Sequence, residues 1–232
     1  MPVITVAQSK GGAGKSTIAL ALASEFAAAG GSVLLLDADD QISLVRWYRD
    51  REREGRKSEN ITVRDVSDVA DPEIINVIAN AREEAQLVIV DTKGDANMKT
   101  AYCCQESDFV IIPSKSSRLD LERAVETQVM LNRMAPTIPY RVLITQTPMV
   151  GRSRAEFEID QQIKANFPTF DQQLHLLDAF RAIYNFRLTM LEVEDENVAK
   201  TERAREIAKG LLANILEEIT DTGIQENMEK VA

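Results

Sequence analysis

"SKGGAGKST", residues 9–17, is the stretch that decides the fold. It follows the apolar run "VITVAQ" at 3–8 and leads into the apolar run "IALALASEF" at 18–26. Between a strand and a helix, a glycine-rich turn lets backbone N–H groups wrap a phosphate, and the helix N-terminus adds positive potential. The stretch therefore predicts a phosphate-binding loop, with an ordinary strand-to-helix turn as the alternative.

The loop matches the pattern G-x-x-x-x-G-K-[ST] except at its first position, where Ser9 replaces glycine. We expect Lys15 to reach the β- and γ-phosphates, and we expect the hydroxyls of Ser16 and Thr17 to meet Mg²⁺ and the α-phosphate. The pattern leaves Lys10, at the front of the loop, without a role. The residues predicted to bind the nucleotide here are Gly11, Gly12, Ala13, Gly14, Lys15, Ser16 and Thr17.

An acidic cluster ends the next apolar run, "LLLDADDQ" at 34–41. Strand ends beside a phosphate loop line the ligand crevice of such folds. One carboxylate there can hold a Mg²⁺-bound water, and another can orient the attacking water. Asp37 and Asp39 are the candidates, and a solvated turn is the alternative interpretation.

The run "LVIVDTKG" at 87–94 ends in Asp91, which is the Walker B arrangement of a carboxylate that reaches Mg²⁺ through water. Gly94 can turn its N–H toward a γ-phosphate, so the segment 92–100 is expected to sense that phosphate. The predicted Mg²⁺ site therefore comprises Ser16, Asp37 and Asp91.

Strand-like and helical segments alternate along the 232 residues, and several strands are continuous β-branched runs of the kind covered on both faces of a parallel sheet. We predict one α/β domain at 1–220, a doubly wound and mainly parallel sheet, with an acidic tail at 221–232. The predicted strands are 3–8, 32–37, 61–66, 87–92, 109–113, 140–146 and 174–178. The predicted helices are 15–29, 72–84, 96–106, 118–134, 154–166 and 196–219.

The formal net charge of −10 disfavours a surface made for nucleic acid or anionic membrane all over, but it permits a local basic patch. The segment "RWYRDREREGRK" at 46–57 is such a patch or, equally, a salt-bridged helix face. The apolar stripe of the C-terminal helix, from Ile207 to Ile219, is expected to dock on the core rather than on a membrane. Without a secretory signal or spanning run, we expect a cytoplasmic protein without a membrane anchor.

"KGGAGKST", "DADDQ", "DTKG" and "DFVIIPSKSSRLDLERAVE" (108–126) together resemble the ParA/MinD family of deviant Walker A ATPases. The resemblance implies ATP as ligand, an ATP-dependent sandwich homodimer, and a trans role for Lys10 at the partner's phosphates. It also implies that Asp39 acts in hydrolysis, so the catalytic candidates are Lys10, Lys15 and Asp39. The chain departs from the family's DxDPQG pattern at Asp40, in place of proline, and at Ile42, in place of glycine.

Relatives in that family often contact adenine from the region that matches "ITQTP" (144–148), which implies base contacts at Gln146 and Pro148. "DTKG" with "PMVGRSR" (148–154) is also similar to the ParA-like branch of T-DNA and conjugative transfer systems. ParA relatives bind DNA nonspecifically through scattered cations. The further candidates for that contact, by charge alone, are Arg152, Arg154, Arg181 and Arg187.

The resemblance implies an ATPase whose ATP-bound dimer binds DNA nonspecifically and partitions or positions plasmid, chromosome or other cargo. A ParB-like or other partner would stimulate hydrolysis and release the DNA, so the protein would be nucleoid-associated when ATP-bound. One alternative is a MinD-like ATPase that recruits a protein complex or membrane. Another is a metal-cluster carrier or reductase using the adjacent Cys103 and Cys104, which otherwise are expected to be small buried side chains.

Overall fold

A seven-stranded parallel sheet forms the centre of the computed structural model, which describes residues 1–56, 58, 60–95 and 97–231. The strand order across the sheet is β3-β2-β4-β1-β5-β6-β7, so the chain is doubly wound, as the alternating segments predicted. The strands are β1 (Val3–Val6), β2 (Val33–Ala38), β3 (Ile61–Asp65), β4 (Leu87–Thr92), β5 (Phe109–Lys115), β6 (Tyr140–Thr147) and β7 (Leu174–His175).

Helices cover both faces of the sheet. One apolar core joins the sheet to α1, α7, α8 and α9 with part of α2, and two others join the opposite face to α3, α4, α5 and α6. The helices are α1 (Lys15–Ala28), α2 (Ser43–Arg53), α3 (Ile74–Glu84), α4 (Met98–Gln105), α5 (Arg118–Met134), α6 (Arg154–Asn166), α7 (Asp178–Asn185), α8 (Met190–Asp195) and α9 (Thr201–Val231). A 3₁₀ turn at Asp71–Glu73 precedes α3.

The central position of β1 explains where the site lies. Val6 is in register with Asp91 of β4 on one side and with Ile111 of β5 on the other. The strand order reverses at β1, and in open α/β sheets ligands bind at such a switch point, outside the carboxyl ends of the strands. Asp37 and Asp91 are also register partners, so both carboxylates reach the edge where the phosphate loop begins.

The C-terminal helix docks on the core, as its apolar stripe predicted. Ile207, Leu211 and Ile215 are buried in the same cluster as β1 and α1. The helix continues past residue 220, so the predicted boundary between domain and tail lies inside α9. No helix in the part of the chain that the structure describes is long and apolar enough to cross a membrane.

Helices α2, α7 and α8 are absent from the predicted set. In α2, "SLVRWYRDRER", charged residues outnumber apolar ones, yet Leu44, Val45, Trp47 and Arg51 are all buried. Where a strand is predicted at 174–178, the structure has only the two-residue β7, and α7 begins at Asp178. The predicted helix at 96–106 begins at Ala96, which lies outside the described residues, and α4 is described from Met98.

Candidate functional site

The phosphate loop turns through left-handed glycines and is held by the end of β6. Gly12 and Gly14 have φ of 78° and 96°, a backbone region that side chains with a Cβ rarely adopt. The Thr145 hydroxyl donates to the Ala13 carbonyl at 3.0 Å, and Gln146 Nε2 donates to the Gly12 carbonyl at 2.8 Å. Two side chains at the end of β6 therefore fix two of the loop's carbonyls.

Lys15 is the first residue of α1, and the residue is nearly buried, with 6% of its surface exposed. Burial lowers the pKa of Lys15, and the charges of Asp91 and Asp39 partly oppose that change. Among the described residues, Nζ donates only to the Lys10 carbonyl, at 3.3 Å. A nearly buried cation with one neutral acceptor fits an anionic ligand, because a phosphate would supply the missing counter-charge.

Ser16 and Asp91 form the pair that fits Mg²⁺. Ser16 Oγ donates to Asp91 Oδ2 at 2.5 Å, while the buried Asp91 Oδ1 has no partner among the described residues. Burial raises the pKa of Asp91 to about 7, and the bond from Ser16 opposes that rise. Mg²⁺ sites commonly take one or two carboxylates together with substrate phosphates. Among the described residues, no group of three or more His, Cys, Asp or Glu side chains is placed to hold a metal ion.

Asp37 and Asp39 occupy different positions. Asp37 is fully buried, and its carboxylate accepts from the N–H groups of Leu44 (2.8 Å), Val45 (3.1 Å) and Asp39 (3.3 Å). Burial raises the pKa of Asp37 to about 6, against these hydrogen bonds. Asp37 thus anchors the start of α2, whereas Asp39 lies on the wall of the cavity.

The cavity beside the loop has a volume of about 610 Å³. Its lining brings together the phosphate loop, the segment after β2 and the segment after β4. An adjoining cavity of about 300 Å³ is lined by Gln146 and by the segment from β7 to α7. Gln146, one of the two expected base contacts, lines this cavity, and Pro148 is not among its lining residues.

Tyr184 on α7 lines both cavities, and sequence reasoning missed it. The run "LHLLD" at 174–178 predicts a strand, and the sequence of α7 contains no ligand pattern that would point to Tyr184.

The segment after β4 packs directly on the phosphate loop. A Cβ at Gly94 would lie 2.6 Å from the backbone nitrogen of Gly11, so only glycine fits this approach. The neighbouring Lys93 forms an ion pair with Asp40, the residue that stands in place of the family's proline. This hydrogen bond raises the pKa of Lys93 and lowers that of Asp40. Ile42, in place of the family's glycine, has the left-handed φ of 45°.

Lys10 turns away from the cavity in this single chain. Its Nζ lies 3.1 Å from Asp120 Oδ2, a carboxylate 1% exposed near the start of α5. The Ser117 hydroxyl donates to the same carboxylate. The structure therefore gives Lys10 a partner in its own chain, and α5 supplies it.

Most of the candidate DNA-binding cations are engaged in ion pairs. In the segment 46–57, Arg51 is buried against Glu192, and Arg53 and Arg56 pair with acidic neighbours. Arg46 and Arg49 are exposed and have no carboxylate within 4.0 Å among the described residues, and Lys57 lies outside them. The four further candidates are paired as Arg152–Asp160, Arg154–Glu158, Arg181–Asp178 and Arg187–Asp50.

Cys103 and Cys104 are free and buried on α4, as small core side chains were expected to be. They belong to two different apolar clusters on the same face of the sheet. Burial raises the pKa of Cys103 to about 12 and that of Cys104 well above its ordinary value. Thiolates are the metal-binding and reactive form of cysteine, so this environment does not favour a metal-cluster carrier or a reductase.

Comparison with solved structures shows the same fold. Apo McdA from Cyanothece superimposes with a TM-score of 0.70 at 15% identity, covering 91% of this chain and 99% of that one. A plasmid partition protein from Borrelia burgdorferi gives 0.66 at 17% identity, with coverages of 92% and 98%. Cobyrinic acid a,c-diamide synthase from Mycobacterium smegmatis, with bound ADP and magnesium, gives 0.65 at 17% identity, with coverages of 91% and 94%.

Comparison with protein sequences is more specific. A ParA protein from Rhizobium radiobacter is 40% identical over 120 residues, a match that spans 52% of this chain and 51% of that protein. A VirC1 protein from Rhizobium rhizogenes is 28% identical over 229 residues, spanning 93% of this chain and 96% of that protein. The family model described as VirC1 protein matches residues 1–230. The chain belongs to the VirC1 family, the T-DNA branch of the ParA/MinD group of P-loop NTPases.

Proposed function

We propose that the chain is a Mg²⁺-dependent ATPase of the ParA type. The observation that carries this proposal is the juxtaposition of two nearly buried groups that lack ion-pair partners among the described residues: Lys15 donates only to a carbonyl there, and Oδ1 of the nearby Asp91 has no partner there. Both lie at a glycine loop that opens into a cavity of about 610 Å³. The structural relative with bound ADP and magnesium supports this choice of ligands.

Each residue of the site has a distinct task in this proposal. Lys15 and the loop N–H groups bind the β- and γ-phosphates, and Ser16 and Asp91 hold Mg²⁺, which neutralises phosphate charge when bound. Asp39, on the cavity wall, orients the attacking water. Asp37 acts on Asp39 indirectly, because the Asp37 carboxylate anchors the segment that carries Asp39.

Lys10 acts across a homodimer in this proposal. A second cation supplied by a partner would neutralise transition-state charge as an arginine finger does. Because Lys10 is paired with Asp120 within its own chain, dimer formation must exchange this ion pair for a phosphate contact. Dimerisation is then coupled to ATP, because the ATP phosphates supply the contact that replaces the Lys10–Asp120 ion pair.

The ATP-bound dimer binds DNA nonspecifically and positions a plasmid or another DNA cargo, and a partner protein stimulates hydrolysis and release. The matched ParA and VirC1 proteins and the plasmid partition fold support this part. A second candidate is an ATP-dependent dimer that recruits a protein complex instead. The ion pairing of most candidate cations supports this second candidate, because arginines that are paired with carboxylates are less available to DNA phosphates.

The test measures binding to a fluorescent, nonspecific DNA duplex with a non-hydrolysable ATP analogue, with ADP and without nucleotide, at several salt concentrations. We expect binding only with the analogue, and we expect it to weaken steeply as salt rises. Lys10→Ala should lose this binding and the dimer seen by light scattering, since each lost charge-assisted contact is worth about 1.5–3 kcal/mol. DNA binding that is equal in all three nucleotide states would overturn the proposal. A stable analogue-bound dimer that does not bind DNA would favour the second candidate, the dimer that recruits a protein complex.

A further inference from the structure

An ion pair joins the segment after β2 to the segment after β4 at the wall of the cavity beside the phosphate loop. Lys93 Nζ contacts Asp40 Oδ2 across 53 residues of sequence. The pair forms because β2 and β4 are neighbours and Ala38 is in register with Thr92, so the residues just beyond each strand end face each other. Both side chains line the same cavity as the phosphate loop.

The backbone around Lys93 holds this lysine at the cavity. The next residue, Gly94, is in backbone contact with the phosphate loop, where a Cβ would lie 2.6 Å from Gly11 N and 2.8 Å from the Lys10 carbonyl carbon. This close backbone contact places Lys93 directly beside the phosphate loop. The long side chain of Lys93 can therefore change partners within the cavity without a rearrangement of the backbone.

The charges on the cavity wall require such a change when a polyphosphate enters. The ionisable lining side chains are two cations, Lys15 and Lys93, and two carboxylates, Asp39 and Asp40. While Lys93 is paired with Asp40, only Lys15 remains to meet a strongly anionic ligand. The pair is easily opened, because Lys93 is 41% and Asp40 62% exposed and exposed ion pairs are weak.

We propose that Lys93 is a further phosphate-binding residue, held in reserve by Asp40 and transferred to the terminal phosphate of the nucleotide. This inference rests on the proposed nucleotide site and names a residue that discriminates triphosphate from diphosphate. The transfer breaks the side-chain link between the segments after β2 and β4, so this link is lost only when the terminal phosphate is present. A charge-assisted contact to phosphate replaces a solvent-exposed one to carboxylate.

Calorimetry tests this with Mg²⁺ and either a non-hydrolysable ATP analogue or ADP. Lys93→Ala should weaken binding of the analogue about 10- to 100-fold and leave ADP within about threefold. Asp40→Asn frees Lys93 and should tighten the analogue by up to about fivefold without changing ADP. Lys164→Ala on α6, which removes an exposed lysine far along the chain, is the matched control and should change neither.

The outcomes separate this inference from the proposed function. If the wild type binds neither nucleotide, the proposed function fails and this inference falls with it. If the wild type binds both but Lys93→Ala weakens them equally, or neither, only the role of Lys93 is overturned. If Asp40→Asn weakens binding of the analogue as Lys93→Ala does, the ion pair stabilises the structure of the site, and the proposed transfer of Lys93 to the phosphate is overturned. Retained ADP binding also shows that each variant is folded.

Discussion

Substituting Gly94 by alanine tests the contact between the segment after β4 and the phosphate loop. The added methyl would lie 2.6 Å from Gly11 N, 2.8 Å from the Lys10 carbonyl carbon and 3.0 Å from Gly11 Cα. Restoring an ordinary contact of 3.4 Å requires the two backbones to separate by about 0.8 Å. These are backbone atoms of a loop that Thr145 and Gln146 hold from the other side, so no flexible side chain can yield.

We expect Gly94→Ala to cost about 1–3 kcal/mol of folding free energy, as overpacking does, or to relieve the clash by displacing the loop. A displaced loop loses phosphate contacts, so nucleotide affinity should fall about tenfold or more in that case. Denaturant unfolding and calorimetry with an ATP analogue measure the two effects on the same protein.

Gly11→Ala is the matched control for stability, because the same methyl on the facing residue meets no atom within 4 Å and the backbone there is not left-handed. Its unfolding free energy without nucleotide should stay close to that of the wild type. If Gly94→Ala matches the wild type in both stability and nucleotide affinity, the close approach of these two segments is wrong.

Three further predictions follow from the site and from the core. Lys15→Ala should abolish nucleotide binding in calorimetry, and unchanged affinity would contradict the phosphate-loop assignment. Asp39→Ala should bind ATP, fail to hydrolyse it and accumulate as a dimer in light scattering, whereas turnover at the wild-type rate would move the water-orienting role to another residue. Arg205→Ala should lower the unfolding free energy by about 3 kcal/mol, because it removes the cation that donates to the buried Glu25 at 2.8 Å. The other cation near this carboxylate among the described residues, Lys209, lies 3.8 Å away. Glu25→Gln in that background should recover part of the loss.

Much of the fold was predictable because its signals are local. The strands buried on both faces, β1, β2, β4 and β5, lie where continuous apolar runs predicted them, whereas β7 keeps only two residues of its predicted five. The phosphate loop is equally local: a strand, a turn with left-handed glycines and a helix occupy one continuous stretch.

The rest of the site depends on contacts between distant segments. Tyr184 reaches the cavity because α7 packs beside α1, and the sequence around it contains no ligand pattern. Trp47 of α2 also holds α7, because its Nε1 donates to the carbonyl of Ile183, 136 residues away. The partner of Lys10 is likewise 110 residues distant. Such pairings are set by strand order, which periodicity alone does not determine.

The basic segment at 46–57 shows how charge counting overstates a DNA surface. Arg51 is enclosed by Trp47 and Glu192, and Arg187, just after α7, pairs with Asp50. Arg51 and Asp50 of α2 therefore hold α8 and the segment that joins it to α7. Of the cations described in this segment, Arg46 and Arg49 are exposed and without a carboxylate partner among the described residues. Each phosphate contact changes the slope of log affinity against log salt by about −0.9. Two such arginines in each protomer of a dimer give a slope of roughly −3 to −4. A measured slope near −10 would require paired arginines to leave their carboxylates, and ATP binding would then have to rearrange the surface as well as join two chains.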